Sequence, residues 1–535
     1  MRPAGLALSA RLCQRRVAAA VSGPSRISRS ALSSRQISTG NGSPWSVAKL
    51  LELDLSGQTG PEVPKVVVNG FIRSVRAMKS RYFVALGDGS SLAPLQALIP
   101  KEQAEGLSIG AAIRLTGSWV PSPAAGQSHE LHVDNVQVLG PSDAKTFPIQ
   151  KKYQTPEFLR TMPHLRPRTP FNSVMLRFRS EVISSLTRFF ASRDFIQTQP
   201  PILTSSDCEG AGEVFSVVPA TKKESELEHS FFRGPKYLTV STQLHLEALA
   251  QSVGRVWTLS PTFRAERSDT SRHLSEFYML EAEMGFVDQL GGVMDVLEDM
   301  LRFTATDLYQ SRVAQELRAP AKDKSASDAA GDRASPEQVN ERWQGLMQAS
   351  WPRLTYTEAI EMLNAEHHQL EHKPVWGEGL QSDHEKLLAR IVGKGKPVFI
   401  THYPRDIKAF YMLPTAGREH VSAVRETVDC FDLLVPEFCE IAGGSMREHR
   451  LPQLLDAMTR NGIVTPTEGS TSVASSDESI TIAGPLDWYA DLRRWGCPPH
   501  GGFGLGFDRL LGYLSGVQTI RDTVTFPRWY GRCDC

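Results

Sequence analysis

The sequence predicts an α+β protein in two parts, a small β-barrel followed by a larger domain of helices and antiparallel strands. Three observations carry this reading. Between residues 60 and 140 the runs KVVVNGFIRSVR, RYFVALGDGS, LAPLQALIP, AIRLTGSWV and ELHVDNVQVLG are short, β-type and separated by Gly, Ser and Pro, the punctuation of consecutive strands. Further on, FNSVMLRFRSEVISSLTRFFASRDF repeats apolar residues at helical spacing. Finally, RVWTLSPTFRAE and EFYMLEAE flank a polar stretch, which is the pattern of an antiparallel hairpin. A chain of 535 residues accommodates two or three such domains with substantial cores.

The first fifty residues contain arginine, serine and alanine but no Asp or Glu, the first acidic residue being Glu52. Over residues 1–42 this is the composition of a mitochondrial transit peptide, and the expected location is the mitochondrial matrix. Five strands over 60–140 fit an OB-type barrel. Such barrels bind single-stranded nucleic acid by stacking bases on exposed aromatics, and Phe83 reads either as such an aromatic or as plain barrel core. Residues 141–170 form a proline-bearing linker. The chain has 59 basic and 59 acidic residues, so nucleic-acid binding must come from local basic surface. The candidates are the linker run KKYQTPEFLRTMPHLRPRTP and the arginines around 73 to 81. The amphipathic helix opening the 171–535 domain must bury its apolar face. Two stretches, near 319–338 and 465–479, have almost nothing to bury and read as disordered insertions. No segment offers the roughly twenty apolar residues that cross a bilayer. The seven cysteines show no CxxC spacing, which supports neither a disulfide framework nor a zinc site.

The most informative stretch is RAERSDTSRHLSEFYMLEAE, residues 264–283, with three arginines, one histidine and five carboxylates. In a strand alternate residues share a face, so the Phe277 ring and the Glu281 carboxylate lie on one side, about 13 Å apart at a rise of about 3.3 Å per residue. This separation suits a ligand as long as an aminoacyl-adenylate. Residues 502–510, GFGLGFDRL, combine glycines that admit close backbone approach with an arginine entering a helix-like run, where a helix N-terminus favours phosphate. Residues 428–450, VDCFDLLVPEFCEIAGGSMREHR, set Asp432 and Glu440 in an apolar run, as carboxylates meet Mg²⁺ on a nucleotide. Glu440 and Arg447 are an odd number apart, so Gly443-Gly444 must break the pleat if both are to serve one ligand.

FRAERSDTSRHLSEFYMLEAE resembles motif 2 of the class II aminoacyl-tRNA synthetases, within their aspartyl/asparaginyl/lysyl subgroup. FGLGFDRLLGYLSGVQTIRD with the later FPR resembles motif 3, and FASRDFIQTQPPIL resembles motif 1 with its strand-ending Pro201. The resemblance runs, interrupted, from about residue 60 to the end. It implies a catalytic domain with a mainly antiparallel sheet flanked by helices, an anticodon-binding barrel, and a homodimer built on the motif 1 helix and strand. It also implies ATP as substrate with Mg²⁺, and tRNA as partner. By resemblance Arg264 holds the α-phosphate and the amino-acid carboxylate, Glu266 the adenine amino group, and Arg272 and His273 the β/γ-phosphates, with Leu274 in that loop by position. Phe277 stacks under adenine, and Arg509 covers its other face or reaches the γ-phosphate, so Arg264 and Arg509 carry catalysis. Gly506, Phe507 and Asp508 line the nucleotide, although Asp508 stands where the family commonly has glutamate. Asp432 and Glu440 bind metal with Gly443 lining the site, Glu209 and Gln243 hold the substrate ammonium, Phe83 stacks on an anticodon base and Gln96 hydrogen-bonds one. His402 and Lys408 read equally as ATP contacts or as a plain strand end.

The amino acid is decided by charge. Aspartyl enzymes of this type carry a lysine on the helix after Ser-x-Gln and an aspartate in motif 2, whereas here Leu246 takes the lysine's place and motif 2 has Glu281. Arg447 facing Glu281 would be a donor-acceptor pair matched to a carboxamide. An aspartate side chain would meet Glu281 head-on, unfavourable by on the order of a few kcal/mol. The expected activity is ligation of asparagine to tRNA(Asn) through an asparaginyl-adenylate, in mitochondrial translation. The alternatives are an aspartyl-tRNA synthetase, including one that does not discriminate, and an inactive synthetase-like RNA-binding protein.

Overall fold

The computed structural model describes residues 43–53, 65–123, 127–205, 213–220, 231–232, 234–319, 333–366, 370–416, 425–463 and 486–535. The transit segment 1–42, Glu209 and the 465–479 insertion lie outside them. The five predicted barrel strands are present as β1 (Lys65–Ala77), β2 (Arg81–Gly87), β3 (Leu95–Pro100), β4 (Ala112–Pro121) and β5 (His129–Gly140). They close in the order β1-β2-β3-β5-β4 around Val66, Val68, Val84, Leu86, Ala97, Ile113 and Leu115. Phe83 pairs with Leu98 on the strand face opposite to Val84 and Leu86, so it is on the barrel's outside and not in its core. The Arg76 guanidinium stands 5.2 Å from its ring centroid. Gln96, opposite Ala85, shares that outer face.

The linker arginines are largely consumed by docking. Arg160 grips Asp522 at 2.8 and 2.9 Å, buried Arg166 donates to the carbonyls of Arg521 and Val524, and Arg168 donates to Gly110 O while lying over Phe71 and Phe147. Arg73 is likewise spent on the carbonyls of Ser91 and Leu92. A guanidinium that satisfies buried carbonyls is not available to phosphate, which narrows the basic surface expected from the sequence.

The second part contains β6 (Ile196–Gln197), β7 (Leu203–Thr204), β8 (Tyr237–Leu238), β9 (Arg255–Phe263), β10 (Glu276–Gly285), β11 (Arg353–Thr355), β12 (Val398–Thr401), β13 (Cys430–Val435), β14 (Cys439–Met446) and β15 (His500–Gly506). Eight of these form one sheet in the order β11-β12-β13-β14-β15-β10-β9-β6. Its pairs are antiparallel except β11/β12 and β6/β9.

Strand alternation gives the sheet two chemically different faces. The row Leu433, Ala442, Leu505, Leu280 and the row Phe431, Gly444, Phe503, Ala282, Trp257 pack into the main core with the helices Pro170–Ser192, Leu290–Leu308 and Phe507–Ser515. There Phe190 of the first helix stacks on Trp257 with centroids 4.6 Å apart. The intervening rows, Asp432, Gly443, Gly504, Glu281, Thr258 and Cys430, Ser445, Gly502, Glu283, Val256, point to the other side and carry the carboxylates.

The motif 1 helix, Pro170–Ser192, buries Val174, Phe178, Val182, Leu186, Phe189 and Phe190 within the chain. Its amphipathic face is therefore satisfied without a second subunit. Residues 333–338, expected inside a disordered insertion, are structured instead. Ser335 and Gln338 form a reciprocal capping box that starts the helix Pro336–Met347, and Ser-Pro-Glu-Gln is a helix-start signature that composition alone conceals.

Candidate active site

Hairpin β9/β10 runs in register from Phe263 opposite Glu276 to Arg255 opposite Met284, as the alternation predicts. The Arg264 amide donates to Ser275 O at 3.0 Å and closes the loop that carries the charged residues. The Arg264 guanidinium is 5.7 Å from the Phe277 ring centroid and 3.7 Å from Glu266, whose other oxygen is 3.3 Å from His273 Nε2. Arg509 enters from the helix Phe507–Ser515 and donates to the Glu440 carbonyl at 2.8 Å. Burial, together with Arg509, Arg272 and Arg264, holds the His273 imidazole below its ordinary range despite Glu266. Three guanidiniums, of Arg264, Arg272 and Arg509, thus converge on one imidazole beside Glu266, an electrostatic seat for a polyphosphate.

This seat predicts proton uptake. Phosphate arriving beside His273 raises its pKa, so binding of ATP takes up a proton and tightens as pH falls through the interval between the free and bound values. Calorimetry of Mg-ATP binding near neutral pH in buffers of different ionisation enthalpy should show an uptake that His273→Asn loses. Equal proton numbers for both proteins would refute it.

Three residues expected to line the nucleotide direct their side chains elsewhere. Leu274 and Phe507 are part of the main core. Buried Asp508 accepts from Arg179 Nη1 at 2.6 Å and from the Tyr278 amide at 2.9 Å, tying the motif 1 helix to β10. Only backbone atoms of these residues can meet a ligand, and the shorter acid fits a structural ion pair.

The residues expected to hold a metal come together. A Cβ built on Gly443 would lie 3.3 Å from Asp432 Oδ1 and 3.4 Å from Glu440 Oε1, so the glycine leaves the space between two carboxylates open. The pleat does break, but at Ile441 rather than at Gly443-Gly444. Leu434 pairs with Glu440 while Leu433 pairs with Ala442, and this bulge brings Glu440 onto the face of Asp432 and Arg447. Lys408 binds Asp432 at 2.8 and 3.0 Å, whereas His402 is turned to Thr401 Oγ1 and Asp429. Glu385 adds a third acid, its carboxyl pushed up to about 7 by burial and by Glu440 and Asp432. An oxygen set with unbalanced negative charge fits a hard divalent cation.

The amino-acid end differs from expectation in one contact. Arg447 does not pair with Glu281. Its Nε and Nη2 donate to Glu283 at 3.2 and 2.9 Å, and Nη1 donates to Ser445 Oγ at 2.5 Å. Glu281 accepts from Ser241 Oγ at 2.5 Å, from the Thr242 amide at 3.0 and 3.1 Å, and from the Thr242 hydroxyl. Register is the reason: Glu283 aligns with Gly502 and Ser445, whereas Glu281 aligns with Gly504 and Gly443, one step further from Arg447. Both acids keep the same face, and Gly502 makes room for Glu283, since a Cβ there would lie 2.0 Å from Glu283 Oε2. Gln243, in the first turn of the helix Gln243–Val253, donates to Glu247 at 3.0 Å. Leu246 packs with Ala250 and Val256, so that helix offers an apolar side chain where aspartyl enzymes of this type place a lysine.

The sequence reading missed Glu283, Glu247, Glu385, Ser241 and Thr242. Two signals were present: Glu283 has the same strand parity as Glu281, and Gln243 and Glu247 are one helical turn apart. Nothing local marks Glu385, which reaches the site only by tertiary packing.

The profile of the family described as "tRNA synthetases class II (D, K and N)" matches residues 155–530. The mitochondrial asparagine–tRNA ligase of Schizosaccharomyces pombe is 40% identical over 475 residues, covering 87% of this chain and 94% of the relative. The asparagine–tRNA ligase of Desulfotalea psychrophila is 39% identical over 476 residues, covering 88% and 96%. Among solved structures, asparaginyl-tRNA synthetase from Pyrococcus horikoshii complexed with asparaginyl-adenylate is similar with a TM-score of 0.73 at 27% identity, covering 92% of this chain and 99% of that one. The sheet with its carboxylate-bearing face, the cationic hairpin and the docked five-stranded barrel thus belong to a member of the class II tRNA synthetases of the D, K and N group.

Proposed function

We propose that this protein ligates asparagine to tRNA(Asn), first activating the amino acid with ATP as asparaginyl-adenylate and then transferring it to the tRNA. The observation that carries the reading is the arrangement at the amino-acid end. Buried Glu281 shares its sheet face with Glu283, which holds buried Arg447 there, and Leu246, packed with Ala250 and Val256, stands where the resemblance puts the lysine of aspartyl enzymes. A carboxamide can donate to the acid and accept from the guanidinium, whereas a carboxylate meets Glu281 with like charge. The asparagine–tRNA ligases among the relatives support the same choice.

Adenylate formation needs little covalent chemistry from the protein and much fixed positive charge. Arg264 orients the attacking carboxylate against the α-phosphate, with Arg272, His273 and Arg509 drawing pyrophosphate away and Phe277 under the adenine beside Glu266. Asp432 and Glu440, over Gly443, would hold Mg²⁺, which neutralises phosphate charge when bound. Gln243, with Glu209, holds the substrate ammonium. Phe83 and Gln96, on the barrel's outer face, stack on and hydrogen-bond anticodon bases.

ATP–pyrophosphate exchange across amino acids tests the reading. Asparagine should support exchange and aspartate should not; exchange with aspartate alone would replace this function with that of an aspartyl enzyme. Two further proposals accompany it. The acid-free 1–42 segment and the mitochondrial relatives support a matrix location, which a fluorescent fusion of that segment would test. Exposed Leu176, Ile196, Ile202 and Leu203, on and after the motif 1 helix, support a homodimer, which light scattering would test. No helix among the described residues is long and apolar enough to cross a membrane.

A further inference from the structure

Beneath the amino-acid end lies a charged cluster that adenylate chemistry does not use. Glu247, from the helix Gln243–Val253, is 0% exposed and accepts from Arg493 Nη2 at 2.6 Å, Tyr489 Oη at 2.9 and 3.0 Å, His500 Nε2 at 3.1 Å and Gln243 Nε2 at 3.0 Å. Arg447 Nε is 4.0 Å away. Glu283, the other acid of the cluster, takes the bidentate contact from Arg447.

Glu247, Glu283 and His500 bring three ligand atoms within 4.8 Å of one another, which invites a metal reading. The guanidiniums already seated on both carboxylates oppose it, because a cation would have to displace two buried positive charges. The cluster is an ion-pair network. Burial opposes ionisation of Glu247, but Arg493, His500 and Arg447 outweigh it and hold its carboxyl well below the ordinary range. Despite its own burial, His500 is pushed up to about 10 by its contacts with Cys497 and Glu247, so it carries charge at neutral pH. Two acids thus face three cations.

Glu247 is also the one member of this cluster that touches Gln243, at the ammonium end of the proposed pocket, while standing beside Arg447 at the carboxamide end. We infer that Glu247 is a positioning residue for amino-acid selection, which fixes Gln243 and Arg447 relative to each other and supplies negative charge that weakens the pull of Arg447, Arg493 and His500 on a carboxylate substrate. This inference rests on the asparagine reading above. Without that charge the balance at the floor moves toward the cations by up to one unit, less the share of its proton that His500 gives up once Glu247 no longer holds it. Aspartate then gains attraction, while asparagine loses the geometry of both its ends.

The test is exchange kinetics on Glu247→Gln, a near-isosteric change. The KM for asparagine should rise at least about tenfold with the KM for ATP within about twofold, and the ratio of kcat/KM for asparagine over aspartate should fall at least about tenfold. A purely structural residue would instead lower exchange with both amino acids and weaken ATP by one common factor, and that result, or unchanged kinetics, overturns the inference. Should Glu247→Gln not fold, Tyr489→Phe removes one neutral donor from the same carboxylate. It should raise the asparagine KM about threefold with the ATP KM and the asparagine preference unchanged; an unaltered asparagine KM would be equally fatal. Wild-type exchange separates the two levels: failure to activate asparagine at all refutes the function, whereas normal wild-type activity with unshifted variants refutes only the role of Glu247.

Discussion

Arg264→Ala is expected to slow asparagine-dependent ATP–pyrophosphate exchange at least about 100-fold, a loss of about 2.7 kcal/mol or more of transition-state stabilisation. The planar fork of arginine can hold an α-phosphate oxygen and the attacking carboxylate together. Its contribution to folding is modest by comparison. The backbone bond from its amide to Ser275 O survives truncation, and its ion-pair distance to Glu266 is long at 3.7 Å. The melting temperature should therefore stay within a few degrees of wild type while exchange collapses. Unaltered exchange in a folded variant would remove Arg264 from the chemistry.

The hairpin that carries Arg264 was legible in the sequence because its information is local. Alternation fixes which residues share a face, and β9/β10 keeps an unbroken register, so Phe277 and Glu281 fall where period two places them. The barrel was legible for the same reason. What was not legible depends on register between strands distant in sequence. Arg447 lies beyond the end of β14, and whether it meets Glu281 or Glu283 is set by how β14 and β10 align on β15, which no local pattern encodes. The bulge at Ile441 shows the intermediate case. Parity demanded a break between Glu440 and Arg447, and the glycine pair was the obvious place for it. The chain instead turns both Ile441 and Ala442 into the core, because apolar burial repays the lost ladder bond there. The glycines are then free to leave space, one over the carboxylate pair and the other against the Phe431 ring. Similarly, an acid at 508 suggested a ligand contact, but Arg179, more than three hundred residues earlier in the chain, claims it.

Arg447 supports the other large effect, and two substitutions separate its electrostatic duty from its recognition duty. Arg447→Met removes the cation between Glu283 and Glu247, which are 1% and 0% exposed. Stranding buried carboxylates in this way should cost about 3–5 kcal/mol of folding stability, read as a fall in the denaturant midpoint. Arg447→Lys retains a positive charge and should recover most of that loss. It cannot recover recognition, because one ammonium cannot reproduce two nitrogens on Glu283 and a third on Ser445 Oγ while also presenting a donor to a carboxamide. The lysine variant should therefore be folded yet show asparagine kcat/KM lower by about 100-fold or more at saturating ATP, since a buried site left with an unmatched polar group rejects its substrate that strongly. If the lysine enzyme instead keeps the wild-type KM for asparagine, Arg447 serves only to neutralise Glu283 and Glu247. Selection of the carboxamide would then have to rest on Glu281 and the donors around it at Ser241 and Thr242.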